Sequence, residues 1–233
     1  MENLDFSIVL PAYNESENLP DVLRGLKRVL GEANIQSEII VVDNGSRDNT
    51  EETLELLKRE IDELKTFRIE KNIGFGNGII KGLEMAKGSI LGFMVSDAQI
   101  KPEDLVNVYQ RLKKNNLDFC KGFRINRYSS LSRVIMSKVY NFLIRLMFGC
   151  SIKDINGSPK VFTRNFYEIV KPQSKDFFID AEILIKAKQN KFSVTEVPVV
   201  LLERKRGRSS VSILTPFGFL RSMFYRFLFG KFR

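Results

Sequence analysis

Residues 37–50, SEIIVVDNGSRDNT, carry a nearly unbroken apolar run into an aspartate, a glycine turn and a polar stretch. Branched apolar side chains on both faces of the pleat read as a strand buried on both sides, the habit of parallel sheets. Asp48-Asn49-Thr50 followed by Glu51 and Glu52 reads as a helix start. The same unit recurs outward in both directions. FSIVL (6–10), TFRIE (66–70), ILGFMV (90–95) and DFCKG (118–122) join 37–43 as predicted strands. Helical patterns fall between them at about 17–31, 49–64, 77–87 and 103–115, the last opened by Pro102, Glu103 and Asp104. This alternation predicts an α/β fold, a mainly parallel sheet flanked by helices. Ligands of such sheets sit beyond the carboxyl ends of the strands. That rule marks the segments 11–15, 43–46, 72–78 and 96–99.

The composition narrows the chemistry. A chain of 233 residues with 43% hydrophobic and 28% charged side chains is long enough for one well-buried domain and too apolar to be disordered. It contains no histidine, which excludes His-based triads, His proton shuttles and His metal sites. Its cysteines, Cys120 and Cys150, are too few for a zinc cluster or a disulfide framework and suit a reducing compartment. The net charge of +9 is unevenly spread: residues 1–100 hold 11 basic and 18 acidic side chains, residues 101–233 hold 26 and 10. A polyanion or an anionic membrane surface is the partner such a split implies. The start, MENLDFSIVL, lacks a basic n-region and reads as a first strand rather than a signal peptide. No run of 18 uncharged apolar residues occurs, so no ordinary transmembrane helix is expected.

Past residue 122 the alternation stops. In 131–148, Arg133, Ser137, Lys138, Asn141 and Arg145 fall within a helical sector of roughly 140°, and most of the rest is apolar. Segment 213–229 sets Phe217, Leu220, Met223, Phe224, Phe227 and Leu228 on one side, with Arg221 and Arg226 towards the other. Both are expected to lie in a membrane interface, with residues 1–211 forming the folded domain and 212–233 a C-terminal amphipathic helix. Packing on protein, including a homo-oligomer built through these helices, is the alternative. A nucleic-acid partner would need exposed aromatics interleaved with the basic patch, and is not expected.

The segments after the strands point to one kind of ligand. Asp43, at a strand end before Asn44-Gly45-Ser46, can accept hydrogen bonds from a base or ribose; by itself the stretch is equally a strand–turn–helix with a capping Asp. Asn72-Ile73-Gly74-Phe75-Gly76-Asn77-Gly78 allows close backbone approach to a phosphate or sugar, but it fails the dinucleotide fingerprint, and no P-loop is present. Asp97 and Gln99 could share one hard cation, or belong to a loop that caps the next helix. Arg204 to Arg208 reads as a phosphate-facing or merely solvated basic loop. Asp180 and Glu182 read as helix caps or as groups that orient donor or acceptor.

Taken in order, PAYNE (11–15), VVDNGSRDNT (41–50), NIGFGNG (72–78), SDAQIKPED (96–104), KDINGSPKVF (153–162), FFIDAE (177–182), EVPV (196–199) and ERKRGRSS (203–210) resemble a family 2 glycosyltransferase with the GT-A (Rossmann-like) fold. The nearest subgroup in appearance holds the dolichol-phosphate mannosyltransferases and polyprenyl-phosphate glycosyltransferases. The resemblance implies a nucleotide cradle of Pro11, Tyr13, Glu15, Asp43 and Gly74. It implies a Mg²⁺ or Mn²⁺ site at Asp97 and Gln99, an acceptor-phosphate site at Arg124, Arg133 and Ser137, and further phosphate contacts at Lys160 and Ser209. Asp97, Arg204 and Asp180 are the implied catalytic groups. Val95 stands where the first Asp of the family's metal motif belongs, Asn44 replaces a commoner Asp, and Ser210 a commoner lysine.

The implied reaction moves a sugar from a UDP- or GDP-sugar to polyprenyl phosphate at the cytoplasmic membrane face, with inversion at the sugar. Two rivals remain at this point. One is transfer to a sugar hydroxyl with Asp180 or Glu182 as base, and the other is a non-catalytic, membrane-bound nucleotide-sugar binder.

Overall fold

The strand at the centre of the first half, β1 (Phe6–Ala12), is buried along its whole length. It pairs in parallel with β2 (Ser37–Asp43) on one side and β4 (Ile90–Phe93) on the other. β3 (Leu64–Arg68) extends this parallel ladder outward from β2. The computed structural model describes residues 4–125, 131–204 and 206, and only the backbone of 131–133. Among them one seven-stranded sheet runs in the order β3-β2-β1-β4-β6-β5-β7, completed by β5 (Phe119–Ile125), β6 (Lys160–Thr163) and β7 (Val194–Val200). β6 runs antiparallel to both neighbours, and every other pairing is parallel. The expected mainly parallel α/β sheet is therefore present, with one reversed strand.

The helices α1 (Leu19–Glu32), α2 (Thr50–Lys58), α3 (Phe75–Met85) and α4 (Pro102–Lys114) follow β1 to β4 as the alternation requires. Proline lies in the first turn of α1 and α4, where its missing N–H costs nothing. Two apolar cores result. One lies between the sheet and α1, α2 and α4, built on Leu10, Leu23, Leu26, Val41, Leu105 and Val108. The other gathers α3, α5 (Leu131–Phe148), α6 (Arg164–Val170) and α7 (Ile179–Gln189) on the opposite face. Within it Phe119, Phe162 and Phe166 form a ring cluster with centroids 5.1–6.0 Å apart.

α5 has the predicted bounds, and part of its polar sector is spent on the protein. Asn141 is buried; its amide donates to the Lys153 carbonyl and accepts from the Ile155 N–H. Arg145, itself exposed, donates to the carbonyls of Ile152 and Lys153. An apolar stripe faces outward: Ile135, Val139, Phe142 and Leu146 are 52%, 49%, 62% and 69% exposed. No helix among the described residues is long and apolar enough to cross a membrane. The segment 213–229 and the proposed boundary at 211/212 lie outside the described residues.

Candidate active site

The parallel register sets the ends of β1 and β2 level, Ala12 opposite Asp43, so their following loops begin side by side. Hydrogen bonds stitch these loops together. The Asn14 N–H donates to the Ser46 hydroxyl at 2.9 Å, the Arg47 N–H to the Asn14 amide oxygen at 2.8 Å, and the Glu15 N–H to the Thr50 hydroxyl at 3.1 Å. Asn14 takes a left-handed conformation, φ 55°, which asparagine tolerates better than most residues. From β4 the Ser96 hydroxyl donates to the Pro11 carbonyl at 2.9 Å. The loops that follow three neighbouring strands, β2, β1 and β4, thus build one crevice, lined by half-buried Tyr13 and buried Glu15 and Asp43.

Asp43 is suited to a hydrogen-bonding ligand. One oxygen accepts from the Ser46 N–H at 2.9 Å, and the other has no hydrogen-bond partner, the Arg68 guanidinium standing 3.5 Å away. Gly74 and Gly76 use their freedom for a different close approach. A Cβ on either would fall 2.3 Å from the Lys175 carbonyl or 2.1 Å from the Ser174 carbonyl, and Gly74 has φ 118°. The glycine run is thus pressed against the 174–176 backbone. It is fixed there by the Asn77 N–H on the Lys175 carbonyl and by Phe75 stacked on Phe177 at 4.9 Å.

Glu15, Asp97 and Arg204 meet in the crevice. The Arg204 guanidinium is 2.7 Å from Glu15 Oε1 and 3.7 Å from Asp97 Oδ2. Burial pushes the carboxyls of Glu15 and Asp97 above the ordinary range. Arg204 works against that at both, as does Asn18 at Glu15 and the Gln99 N–H at Asp97. Gln99 does not turn its amide nitrogen to this cluster; it donates to the Leu202 carbonyl at 3.0 Å. Among the described residues no three carboxylate or thiol groups converge as a metal cage. Asp97 supplies one carboxylate there, which fits a Mg²⁺-like ion completed largely by phosphate oxygens and water.

Behind the crevice lies a buried ionic layer. Lys121 and Lys160 face each other across β5 and β6, and both are almost wholly inaccessible. The Lys121 ammonium donates to the carbonyls of Asp154 and Gly122 and lies 3.5 Å from Glu196; burial, then the Lys160 charge, lowers its pKa to about 8. Lys160, whose implied phosphate contact would need an accessible ammonium, is buried. It belongs to β6 and its ammonium sits 2.7 Å from Asp180 Oδ1. Arg124 is gripped bidentately by Asp154 through Nε and Nη2, at 2.7 and 2.8 Å, and its charge is felt at Asp97. Asp154, Lys121 and Glu196 were not singled out from sequence. Asp154 and Glu196 sit inside the motifs KDINGSPKVF and EVPV, which was the available signal.

Glu182 is a structural group. Its carboxylate accepts from the N–H groups of Gln173 and Ser174 and from the Ser174 hydroxyl, and pairs with Lys186 at 2.8 Å. Burial would raise its pKa, but the bonds from Lys186 and Ser174 outweigh burial and hold it below the usual range. Ser137 is half-buried on α5. The Arg133 side chain and Ser209 lie outside the described residues.

Residues 7–170 match the family model for glycosyl transferase family 2. The chain belongs to that family. Among curated family 2 relatives it is 28% identical over 205 residues to the glycosyltransferase AglD of Haloferax volcanii, covering 84% of this chain and 33% of that protein. It is 28% identical over 208 residues to the undecaprenyl-phosphate 4-deoxy-4-formamido-L-arabinose transferase of Pseudomonas fluorescens, covering 88% of this chain and 60% of that one. The chain thus spans a third to three-fifths of the length of these relatives. In fold it resembles the glucosyl-3-phosphoglycerate synthase of Mycobacterium tuberculosis, crystallised with Mn²⁺, UDP and glucosyl-3-phosphoglycerate. The TM-score is 0.72 at 18% identity, over 97% of this chain and 79% of that one. The sheet and its flanking helices are the GT-A architecture that the sequence motifs imply.

Proposed function

We propose that this family 2 protein transfers a sugar from a nucleotide donor to a polyprenyl phosphate. The observation that carries the reading is the state of the carboxylates around the crevice. Glu15 and Asp97 share Arg204, Asp154 holds Arg124, Asp180 is paired with Lys160, and Glu182 is locked into the fold. None of these is poised as a free general base, and a hydroxyl acceptor needs one. A phosphate acceptor is already anionic at neutral pH and needs none. The name of the Pseudomonas relative, an undecaprenyl-phosphate sugar transferase, supports the same acceptor class.

In this reading an acceptor phosphate oxygen attacks C1 of the sugar, and the C1–O bond to the nucleoside diphosphate breaks, its electron pair leaving on the diphosphate. Asp43 accepts hydrogen bonds from the nucleoside, and Tyr13 and Pro11 wall its crevice. Gly74 packs the wall from behind. Arg204 faces the diphosphate, Arg124, Arg133 and Ser137 serve the acceptor phosphate, and Ser209 supports the phosphate side. Catalysis is then positioning and charge neutralisation. A divalent cation arriving with the diphosphate would be held by Asp97, where it would neutralise the leaving group's charge.

The reading also places the protein against a bilayer, since a polyprenyl tail stays in lipid. The outward apolar stripe of α5, accompanied by the exposed cations Lys138 and Arg145, suits insertion at the interface. The basic excess of residues 101–233 suits an anionic, cytoplasmic leaflet.

A panel of UDP- and GDP-sugars offered with a short polyprenyl phosphate, with products weighed by mass spectrometry, tests the proposal. A glycosyl phospholipid is the expected product. Transfer only to saccharide hydroxyls would replace it, and donor binding without any turnover would leave a nucleotide-sugar binder.

A further inference from the structure

Gln99 occupies the place of a metal ligand in the family motif, yet its contacts are with the chain that carries Arg204. Its side-chain amide donates to the Leu202 carbonyl at 3.0 Å, and its own carbonyl accepts from the Leu202 N–H at 2.9 Å. One residue therefore grips both main-chain polar groups of a residue 103 positions away. β7 has by then ended: its last ladder partner is Val200, opposite Ile125.

The segment that follows is sewn down in sequence. Gln99 holds Leu202, Glu15 and Asp97 hold Arg204, and Arg206 donates to the Glu17 carbonyl and to Asp21 at the start of α1. Leu202 is two residues from Arg204, a span of roughly 7 Å of extended chain, so fixing the one limits where the other can reach.

The local backbone is shaped for this grip. Ala98 adopts φ 59°, a left-handed conformation that alanine disfavours sterically. That reversal lets the Asp97 carboxylate accept the Gln99 N–H at 3.1 Å and keep its other oxygen towards Arg204, while the Gln99 amide faces Leu202. Val95, the position at which a further ligand would enter, packs instead on the apolar core.

We infer that Gln99 is a positioning residue for Arg204, a clasp acting through its amide nitrogen that sets the phosphate-facing guanidinium over Glu15 and Asp97. The inference deepens the nucleotide-donor reading and rests on it for its effect on binding.

Gln99→Glu separates the two roles, because a carboxylate can hold a cation but cannot donate to the Leu202 carbonyl. UDP and GDP binding to the full chain is measured by calorimetry in Mg²⁺ and in excess chelator, for Gln99→Glu, Gln99→Ala, Arg204→Ala and the double variants. The clasp predicts losses of about tenfold for both Gln99 variants, the effect of one lost hydrogen bond. The losses should be alike with and without Mg²⁺, and absent when Arg204 is already alanine. Unchanged or tighter binding by Gln99→Glu in Mg²⁺, or losses additive with Arg204→Ala, would overturn it. Amide hydrogen exchange of 200–204 gives a readout independent of nucleotide. If the wild-type chain binds neither UDP nor GDP, the donor reading fails by itself and exchange alone decides. Faster exchange in both Gln99 variants then upholds the clasp, and unchanged exchange refutes it.

Discussion

The ammonium of Lys160 and the carboxylate of Asp180 meet at 2.7 Å, one from the reversed strand β6 and the other from the first turn of α7, and neither is appreciably exposed. A carboxylate engaged by a buried ammonium is not free to turn to a substrate hydroxyl, so this pair bears directly on which acceptor the crevice serves. For a phosphate acceptor, Asp180→Asn should leave the rate of transfer within about tenfold of wild type. A general-base role would make the loss roughly 10²–10⁴-fold. Thermal unfolding of the same variant reports the separate cost of leaving Lys160 buried and unpaired, and normalises the rate to folded protein.

Asp97 should matter more. Asp97→Asn is expected to cut turnover roughly 100-fold, the usual scale for removing one group that stabilises developing charge. Donor binding should tighten with Mg²⁺ or Mn²⁺ in the wild type and lose that response in the variant. Because burial raises the Asp97 pKa, protonation should weaken cation-assisted binding at a higher pH than for an ordinary aspartate. Identical activity in excess chelator would remove the cation and leave the charge to Arg204.

Glu182 offers a pH signature without a catalytic one. Its folded pKa lies below its unfolded value, so the stability it contributes is full above the ordinary glutamate range, near pH 4–5, and is lost as pH falls through the depressed value. Glu182→Gln should destabilise the protein by about 1–3 kcal/mol at neutral pH, as expected for disturbing buried bonds to a charged group. Its acid limb should be flatter than that of the wild type, with transfer per folded molecule retained. Denaturant titrations from pH 3 to pH 7 check both. A variant that folds normally and is inert would return Glu182 to the list of bases.

The outward stripe of α5 supplies a membrane test that does not disturb the core. Phe142→Glu and Leu146→Glu replace side chains already 62% and 69% exposed, so each should change stability by less than about 0.5 kcal/mol. Sedimentation with anionic liposomes should fall for either variant and further for both together, with UDP or GDP binding unchanged. Undiminished liposome binding, or a wild-type oligomer that dissociates in the variants, would assign the stripe to protein contacts.

The first half of the fold was legible because each parallel strand is buried on both faces and writes a plain apolar run, as in FSIVL and SEIIVVD. The second half hides its strands. β6 is a strand of four residues that begins with a lysine, and that lysine points inward because Asp180 neutralises it. β7 contains Pro198, which argues against a central strand, and the structure places it at the sheet edge where a missing N–H is tolerated. The site was legible in part for the same reason. Glu15, Asp97 and Arg204 sit in motifs and do converge, 2.7 to 3.7 Å apart. That Arg124 belongs to Asp154, or that α5 turns Asn141 inward, depends on contacts that no local pattern encodes. An amphipathic count on 131–148 finds the polar sector but cannot say which side meets the protein.

β7 is joined to the sheet along β5 only, and Arg204 hangs just beyond its last residue. A border strand can peel or shift by breaking a single ladder, whereas moving β1 or β4 would tear two. The arginine proposed to face the diphosphate is thus mounted beyond an edge held by one ladder, and its place depends on the contacts from Gln99, Glu15 and Asp97. Any shift of that rim would be felt at Glu15, on the loop that follows β1. The guanidinium and the proposed nucleoside side therefore move as a coupled pair, and a variant at the β7 rim should alter turnover and nucleotide binding together.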